Sequence, residues 1–398
     1  GLPWTGIRDF GGGTDPKTDR TLLYCTIPSR EVKGRFAGGV YRSADLGKTW
    51  EPAMGRGINT TLGRQDRYGI ETMDQYASLK VAAQQPGTLY VTNRGTGYDP
   101  PYHYTVFRSD DGGRNWRHCM FSDPRFEANN TAVGWLFYDR SRGYGGVALG
   151  LAVNPAEPDQ ALVTNYGEVF ATVDGGRGWR QVYSRRVDRG TPGKQLRWTT
   201  VGLEDTSCWG YVVDPRSPTN AYICYTDIGL ARSDDSGQSW RSAVIGIPWR
   251  NTVYQLVCDP DVPGRLYAAC STQHDIPHWA SAQGPRGKGG VCRSSDNGKT
   301  WEPLPGLPEA PVTCLLLEAD SPVRRRTLYA GVYGHGIFRS LDGGAHWESR
   351  SAGLAPAANR QVYALRQSRT GALFCSVLGR RQGKGAETPL SGGLFRSN

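Results

Sequence analysis

The chain has 398 residues, of which 38% are hydrophobic, 11% aromatic and 21% charged, with 53 glycines, 25 prolines and a formal net charge of +10. Glycine and proline at this density belong to turn-rich all-β structure, and no apolar stretch approaches the length of a membrane helix. The nine cysteines stand mostly in apolar strand segments with no Cys-x-x-Cys or Cys/His spacing, which reads as core thiols and points to no metal site.

Taken in chain order, the first predicted element is a hairpin in IRDFGGGTDPKTDRTLLYCTI (7–27), followed by a third strand and a polar corner in GGVYRSADLGKTWEP (38–52). The same succession returns in LKVAAQQPGTLYVTNRG with YTVFRSDDGGRNWRH, LAVNPAEPDQALVTNYG with GEVFATVDGGRGWRQ, and YVVDPRSPTNAYICYTD with IGLARSDDSGQSWRS. It continues in LVCDPDVPGRLYAACST with GGVCRSSDNGKTWEP and LLLEADSPVRRRTLYAGVYG with HGIFRSLDGGAHWES, and closes on ALRQSRTGALFCSVLG with the truncated GGLFRSN. The corners close on Trp50, Trp116, Trp179, Trp240, Trp301 and Trp347, in steps of 66, 63, 61, 61 and 46 residues. Each corner reads as turn chemistry: the Asp carboxylate accepts from backbone amides of its own loop, Gly supplies a positive φ, and the Trp buries its ring between neighbouring sheets. A residue repeated six times is a structural device; a catalytic group needs no such copies.

The pattern Ser-x-Asp-x-Gly-x-Thr-Trp, complete from Ser43 to Trp50, resembles the Asp-box (BNR) repeat of the sialidase-like β-propellers. The resemblance, with units of about 57 residues, implies a single seven-bladed β-propeller of four-stranded blades filling residues 1–398 as one domain. The last unit lacks a fourth strand, so the segment around Pro3 and Trp4 is expected to supply it, or the chain is a piece of something longer; Gly1 in place of Met reads as a processed or engineered start. In such blades the Asp corners share one face and the long links share the opposite one.

Those links carry cations and aromatics, among them Arg142 and Tyr144, Arg185, Arg197 and Trp198, and Trp279. Aromatics interleaved with cations suit a sugar-stacking, anion-attracting groove, so the expected partner is a polysaccharide or oligosaccharide, an anionic one on account of the net charge. No dense Lys/Arg run, RNA-binding signature or nucleotide-binding glycine loop points to nucleic acid, and nothing points to a membrane. The chain is expected to act without a cofactor, as a monomer, in a secreted or periplasmic setting.

The segment GLEDTSCWGYVVDP (202–215) with Tyr225-Thr-Asp227-Ile-Gly229 resembles a blade of the xyloglucanase-type glycoside hydrolases. The resemblance implies that Asp227 is the catalytic Asp and that Glu204 and Thr206 belong to the lead-in. Xyloglucanases take their two carboxylates from two propellers, whereas this chain offers one, and its first blade has IPSREVKGRFAGG (27–39) where a partner Asp is expected. Hydrolysis needs two carboxyl groups; candidates for the second are Glu204 and Asp205, or Glu71 and Asp74 in GIETMDQYASL, which runs on to Tyr76. Trp209, Tyr225, His274 and Trp279 join the substrate-binding set. Two alternatives stand beside hydrolysis. One is a lyase using Arg with a Tyr or His base (Tyr76, Tyr144, Tyr166, His274 or His278), and the other a non-catalytic binding or assembly propeller.

Overall fold

The computed structural model describes residues 1–62, 64–65, 71–94, 106–120, 130–132, 148–165, 168–189, 195–200, 207–276, 286–354, 360–379 and 392–397. The structure is all-β, with no α-helix among the described residues. It divides into two compact units, Gly1–Arg185 with Thr200–Asp205, and Arg186–Thr199 with Thr206–Asn398.

In the first unit, strands Asp9–Asp15, Arg20–Val32, Arg35–Ser43 and Glu51–Pro52 form an antiparallel sheet in chain order. Its second and third strands meet at Lys33 and Gly34, whose φ values of 52° and 71° give the paired positive φ that matches strand twist in a two-residue hairpin loop. Tyr76–Val81, Leu89–Asn93, Val106–Ser109 and Arg117–His118 repeat the arrangement. The third sheet, Gly150–Val153, Ala161–Thr164, Val169–Thr172 and Trp179–Gln181, adds Thr131–Ala132 as a parallel fifth strand.

The second unit repeats the order three times: Cys208–Asp214, Ser217–Tyr225, Leu230–Ser233, Arg241–Ser242; Thr252–Cys258, Leu266–Ser271, Gly289–Ser294, Glu302–Pro303; Val312–Leu317, Leu328–Val332, Gly336–Ser340, Glu348–Ser349. A last sheet holds three strands, Val362–Gln367, Leu373–Val377 and Gly393–Arg396. The expected strand at Pro3 and Trp4 is absent; instead Trp4 packs against Cys25, Ile27 and Tyr41 of the first sheet, with the Arg30 guanidinium 4.8 Å from its ring. Each hairpin expected from the sequence is an antiparallel strand pair.

The second strands explain their unbroken apolar runs. Leu89–Asn93, Leu266–Ser271 and Leu328–Val332 are buried at every position, because sheets cover them on both faces and alternation has no solvent side to serve. Between the first two sheets of the second unit lie Tyr222, Cys224, Leu256, Leu266 and Trp301. Of the cysteines, seven are buried, Cys258 is half-buried and Cys208 is exposed, and all are free thiols.

The corners share one hydrogen-bond scheme. At Asp45, the Ser43 hydroxyl donates to Oδ1 at 2.8 Å, the Thr49 amide donates to the same oxygen at 2.9 Å, and the Gly47 amide donates to Ser43 Oγ at 2.8 Å. Asp111, Asp174, Asp235, Asp296 and Asp342 repeat it, with Thr172 in the serine position of the third corner and His346 in the threonine position of the last. The Thr49 hydroxyl is the chief cause that holds Asp45 down to about 2.

Candidate active site

The turn after strand Ser217–Tyr225 carries Asp227. The Ile228 amide donates to the Thr226 carbonyl at 2.7 Å while Asp227 sits at φ 64°, a three-residue γ-turn of the rare, strained hand. Two further bonds fix its ends. The Tyr225 amide donates to Gly229 O at 2.8 Å, and the Gly229 amide to Asn251 O at 3.1 Å, which ties the turn to the approach of the next sheet. Asp tolerates positive φ better than bulkier residues, so the sequence Thr-Asp-Ile-Gly can close here and present the carboxylate outward.

Asn251 Nδ2 donates to Asp227 Oδ1 at 3.1 Å. His274 follows the next sheet's second strand, and its Nδ1 lies 3.6 Å from Asp227 Oδ1 and 3.2 Å from Asp275 Oδ2. His274 Nδ1 thus lies within 3.6 Å of both carboxylates, so the facing oxygens are at most roughly 7 Å apart, below the upper end of the about 5–9.5 Å that glycosidase carboxyl pairs use. The side chains of Asp227, Asp275 and His274 are 29%, 32% and 48% exposed, open enough to meet a solute. Asp275 also has a positive φ of 52°.

An aromatic pair, Tyr254 buried and Trp209 half-buried, holds this group. The Tyr254 hydroxyl donates to Gln273 O at 2.9 Å and accepts from the Ile276 amide at 3.0 Å, bracketing His274 and Asp275. Burial pushes the Tyr254 phenol up from its ordinary value, so it stays neutral and serves as a strut. The Trp209 ring lies 5.1 Å from that of Tyr254, and its Nε1 donates to Thr226 Oγ1 at 2.6 Å, next to Asp227. The expected residues Asp227, His274, Trp209 and Tyr225 therefore gather in one neighbourhood, and Asn251 and Asp275 join them without having been singled out in the sequence.

The other expected residues lie elsewhere. Tyr76 is wholly buried, its hydroxyl donating to Asn59 O at 2.6 Å and its ring edge-on to Phe107. Burial raises its phenol far above the usual range, which corrects its reading as a base or sugar platform: it is a core residue. Asp74 is 6% exposed and accepts from the Thr61 amide at 2.7 Å and Asn93 Nδ2 at 2.6 Å, as a structural acceptor does. Trp198 is likewise corrected to a buried position, its backbone exchanging bonds with Trp240 at 2.8 and 2.7 Å. Arg197 is engaged by Asp188 through Nε at 2.9 Å and Nη2 at 2.8 Å, and that carboxylate raises its pKa. Arg185 is exposed in strand Ser184–Arg186. Asp74, Tyr76 and Arg185 belong to the first unit. Glu204, Asp205, Arg142, Tyr144, Tyr166, His278 and Trp279 lie outside the described residues, as does the side chain of Glu71 in strand Glu71–Thr72.

The chain matches no protein-family model. A stretch of 100 residues, 24% of the chain, is 29% identical to an oligoxyloglucan-reducing end-specific xyloglucanase of Emericella nidulans and covers 10% of that enzyme. Among solved structures, a GH74 xyloglucanase from Xanthomonas campestris aligns at a TM-score of 0.36 and 16% identity, over 97% of this chain and 60% of that one. A GH74 enzyme from Niastella koreensis aligns at 0.31 and 14% identity, over 93% of this chain and 66% of that one. The chain thus spans less than two thirds of the relatives' own lengths.

Proposed function

We propose that the chain is a glycoside hydrolase on a single seven-bladed Asp-box propeller, with Asp227 and Asp275 as its carboxyl pair. The observation that carries this reading is the placing of both carboxylates around His274 Nδ1, at 3.6 and 3.2 Å. One carboxyl group of the pair gives its proton to the departing glycosidic oxygen while the other activates water or attacks the sugar. The short match to a xyloglucanase supports a polysaccharide substrate and makes xyloglucan the first to try, in the extracellular setting where such polymers occur. An anionic substrate draws support from the +10 net charge, with Arg197 taken out of account by its pairing to Asp188.

A panel of neutral and anionic polysaccharides, xyloglucan included, tests the proposal. Hydrolysis releases reducing ends without new ultraviolet absorbance. An unsaturated, absorbing product would make the protein a lyase, and binding with neither product would leave a carbohydrate-binding propeller.

A further inference from the structure

Within the first unit, a tyrosine and an arginine of one sheet meet the turns of the next in the same way twice. The Tyr24 hydroxyl donates to Pro86 O at 2.7 Å, and the Tyr90 hydroxyl to Pro158 O at 2.7 Å. Beside them the Gly112 amide donates to Gly87 O at 2.8 Å, and the Gly175 amide to Asp159 O at 2.9 Å. The two junctions are copies, with Arg42 at the place of Arg108 and Gly87 at the place of Asp159. In the second copy carboxylates enclose the arginine: buried Arg108 has Nη1 2.5 Å from Asp159 Oδ1 and Nη2 2.7 Å from Asp110 Oδ1.

The first copy lacks both carboxylates. Arg42-Ser-Ala44-Asp stands against Arg108-Ser-Asp110-Asp, and Pro86-Gly87 against Pro158-Asp159. Arg42 turns instead to Glu51, donating from Nε at 3.1 Å, and to Gly112 O, donating from Nη1 at 3.0 Å. A cavity of about 590 Å³ opens at this junction, lined by Lys17, Arg20, Arg42, Gln85, Thr88 and Arg114 among others, a volume within the roughly 300–1,000 Å³ of organic-ligand clefts. Lys17, Arg20 and Arg114 make no ion pair among the described residues. The carboxylates on the same wall are already engaged. Asp15 accepts from the Lys17 amide at 2.8 Å, Asp110 from Arg108 Nε at 2.8 Å, and Asp111 from the Arg114 and Asn115 amides at 3.0 and 2.8 Å. Burial pushes the Tyr24 phenol up to about 12 against the pull of Arg42, Arg20 and Arg114, which marks three guanidiniums as neighbours of one hydroxyl.

We propose that this cavity binds a small hydroxylated ester of phosphate or sulfate, its oxyanion set among Arg20, Arg42 and Arg114 where the next junction builds in two carboxylates. Planar guanidiniums offer such an oxyanion paired N–H donors. Gln84, Gln85 and Thr88 offer amides and a hydroxyl to the organic body. The site lies wholly in the first unit and makes no use of the Asp227 pair.

The test is isothermal titration calorimetry of the full chain with glucose 6-phosphate, glucose 6-sulfate and glucose at one fixed salt concentration. At least one ester should bind saturably in the millimolar range or tighter, glucose should not, and the preferred ester identifies which oxyanion the site takes. Arg20→Gln and Arg114→Gln, at exposed positions, should each weaken binding at least about tenfold. Arg324→Gln, at an exposed position of the second unit, should leave it unchanged. Gly87→Asp should abolish binding by supplying a carboxylate as Asp159 does, and it should fold, since a Cβ there would meet only Asp110 O, at 3.4 Å. The arginine variants give the answer even if Gly87→Asp folds poorly. Absence of saturable binding by either ester, equal binding of glucose, or binding that Arg20→Gln and Arg114→Gln leave intact overturns the proposal. Equal weakening by Arg324→Gln overturns it too, by making the binding a response to net charge.

Discussion

Replacing Asp296 by alanine separates a structural corner from a catalytic one. Its Oδ1 accepts from Ser294 Oγ at 2.8 Å and from the Lys299 and Thr300 amides at 2.9 Å each, and its Oδ2 accepts from Thr300 Oγ1 at 2.6 Å. Lys299 and Thr300 are exposed, so water takes over much of what their amides lose. Ser294 is 2% exposed; it goes on accepting from the Gly298 amide at 2.9 Å but has nowhere to donate. One buried orphan hydroxyl and a weakened loop amount to about 1–2 kcal/mol. For a cooperative unit of this size the melting temperature should fall by roughly 2–8 °C, read by calorimetry, while turnover per folded molecule measured below the transition stays constant. A large loss of turnover at an unchanged melting temperature would falsify the structural reading of the corners.

Arg326 is 1% exposed and grips the buried Asp259 through Nε at 3.0 Å and Nη2 at 2.7 Å. Arg326→Met should therefore cost about 3–5 kcal/mol in urea denaturation, and adding Asp259→Leu should recover most of it, because the penalty is the stranded carboxylate. Asp45 is held at about 2 chiefly by the Thr49 hydroxyl, and Asp342 at about 2 by the His346 amide and ring, which overcome the upward push of burial. Their folded pKa values are depressed, so their stabilisation is complete above the unfolded value of about 4 and drains away toward about 2; urea midpoints should show no loss from these groups between neutrality and about pH 5 and a fall below about pH 4. Tyr254→Phe removes both bonds that bracket His274 and Asp275 and should lower kcat on the order of tenfold with little change in KM, since it loosens reacting groups without touching substrate.

The hairpins and corners were legible because their causes are local. Every bond of the Asp45 corner joins residues within four positions, and the wholly buried second strands announce themselves as apolar runs. The turn at Asp227 is just as local, its closing bond joining Thr226 and Ile228. Asn251 and Asp275 were not legible, since they reach Asp227 only through the packing of the next sheet, 24 and 48 positions along the chain. Their one trace in the sequence was His274, chosen for its chemistry and found 3.2 Å from Asp275 and 3.6 Å from Asp227. Tyr76 misled because an aromatic two residues after Asp74 looks the same whether it opens a groove or, as here, starts the core-facing strand Tyr76–Val81.

Turnover by Asp227→Asn tests the carboxyl pair. Asparagine keeps the size of the side chain and its ease at the φ of 64°, but it can neither give nor take the proton. On whichever polysaccharide the wild type hydrolyses, the rate should fall by at least about a hundredfold, with an unchanged melting temperature and an equal loss in Asp275→Asn. Wild-type turnover in folded Asp227→Asn would rule out the pair and leave the Asp227 turn a structural one.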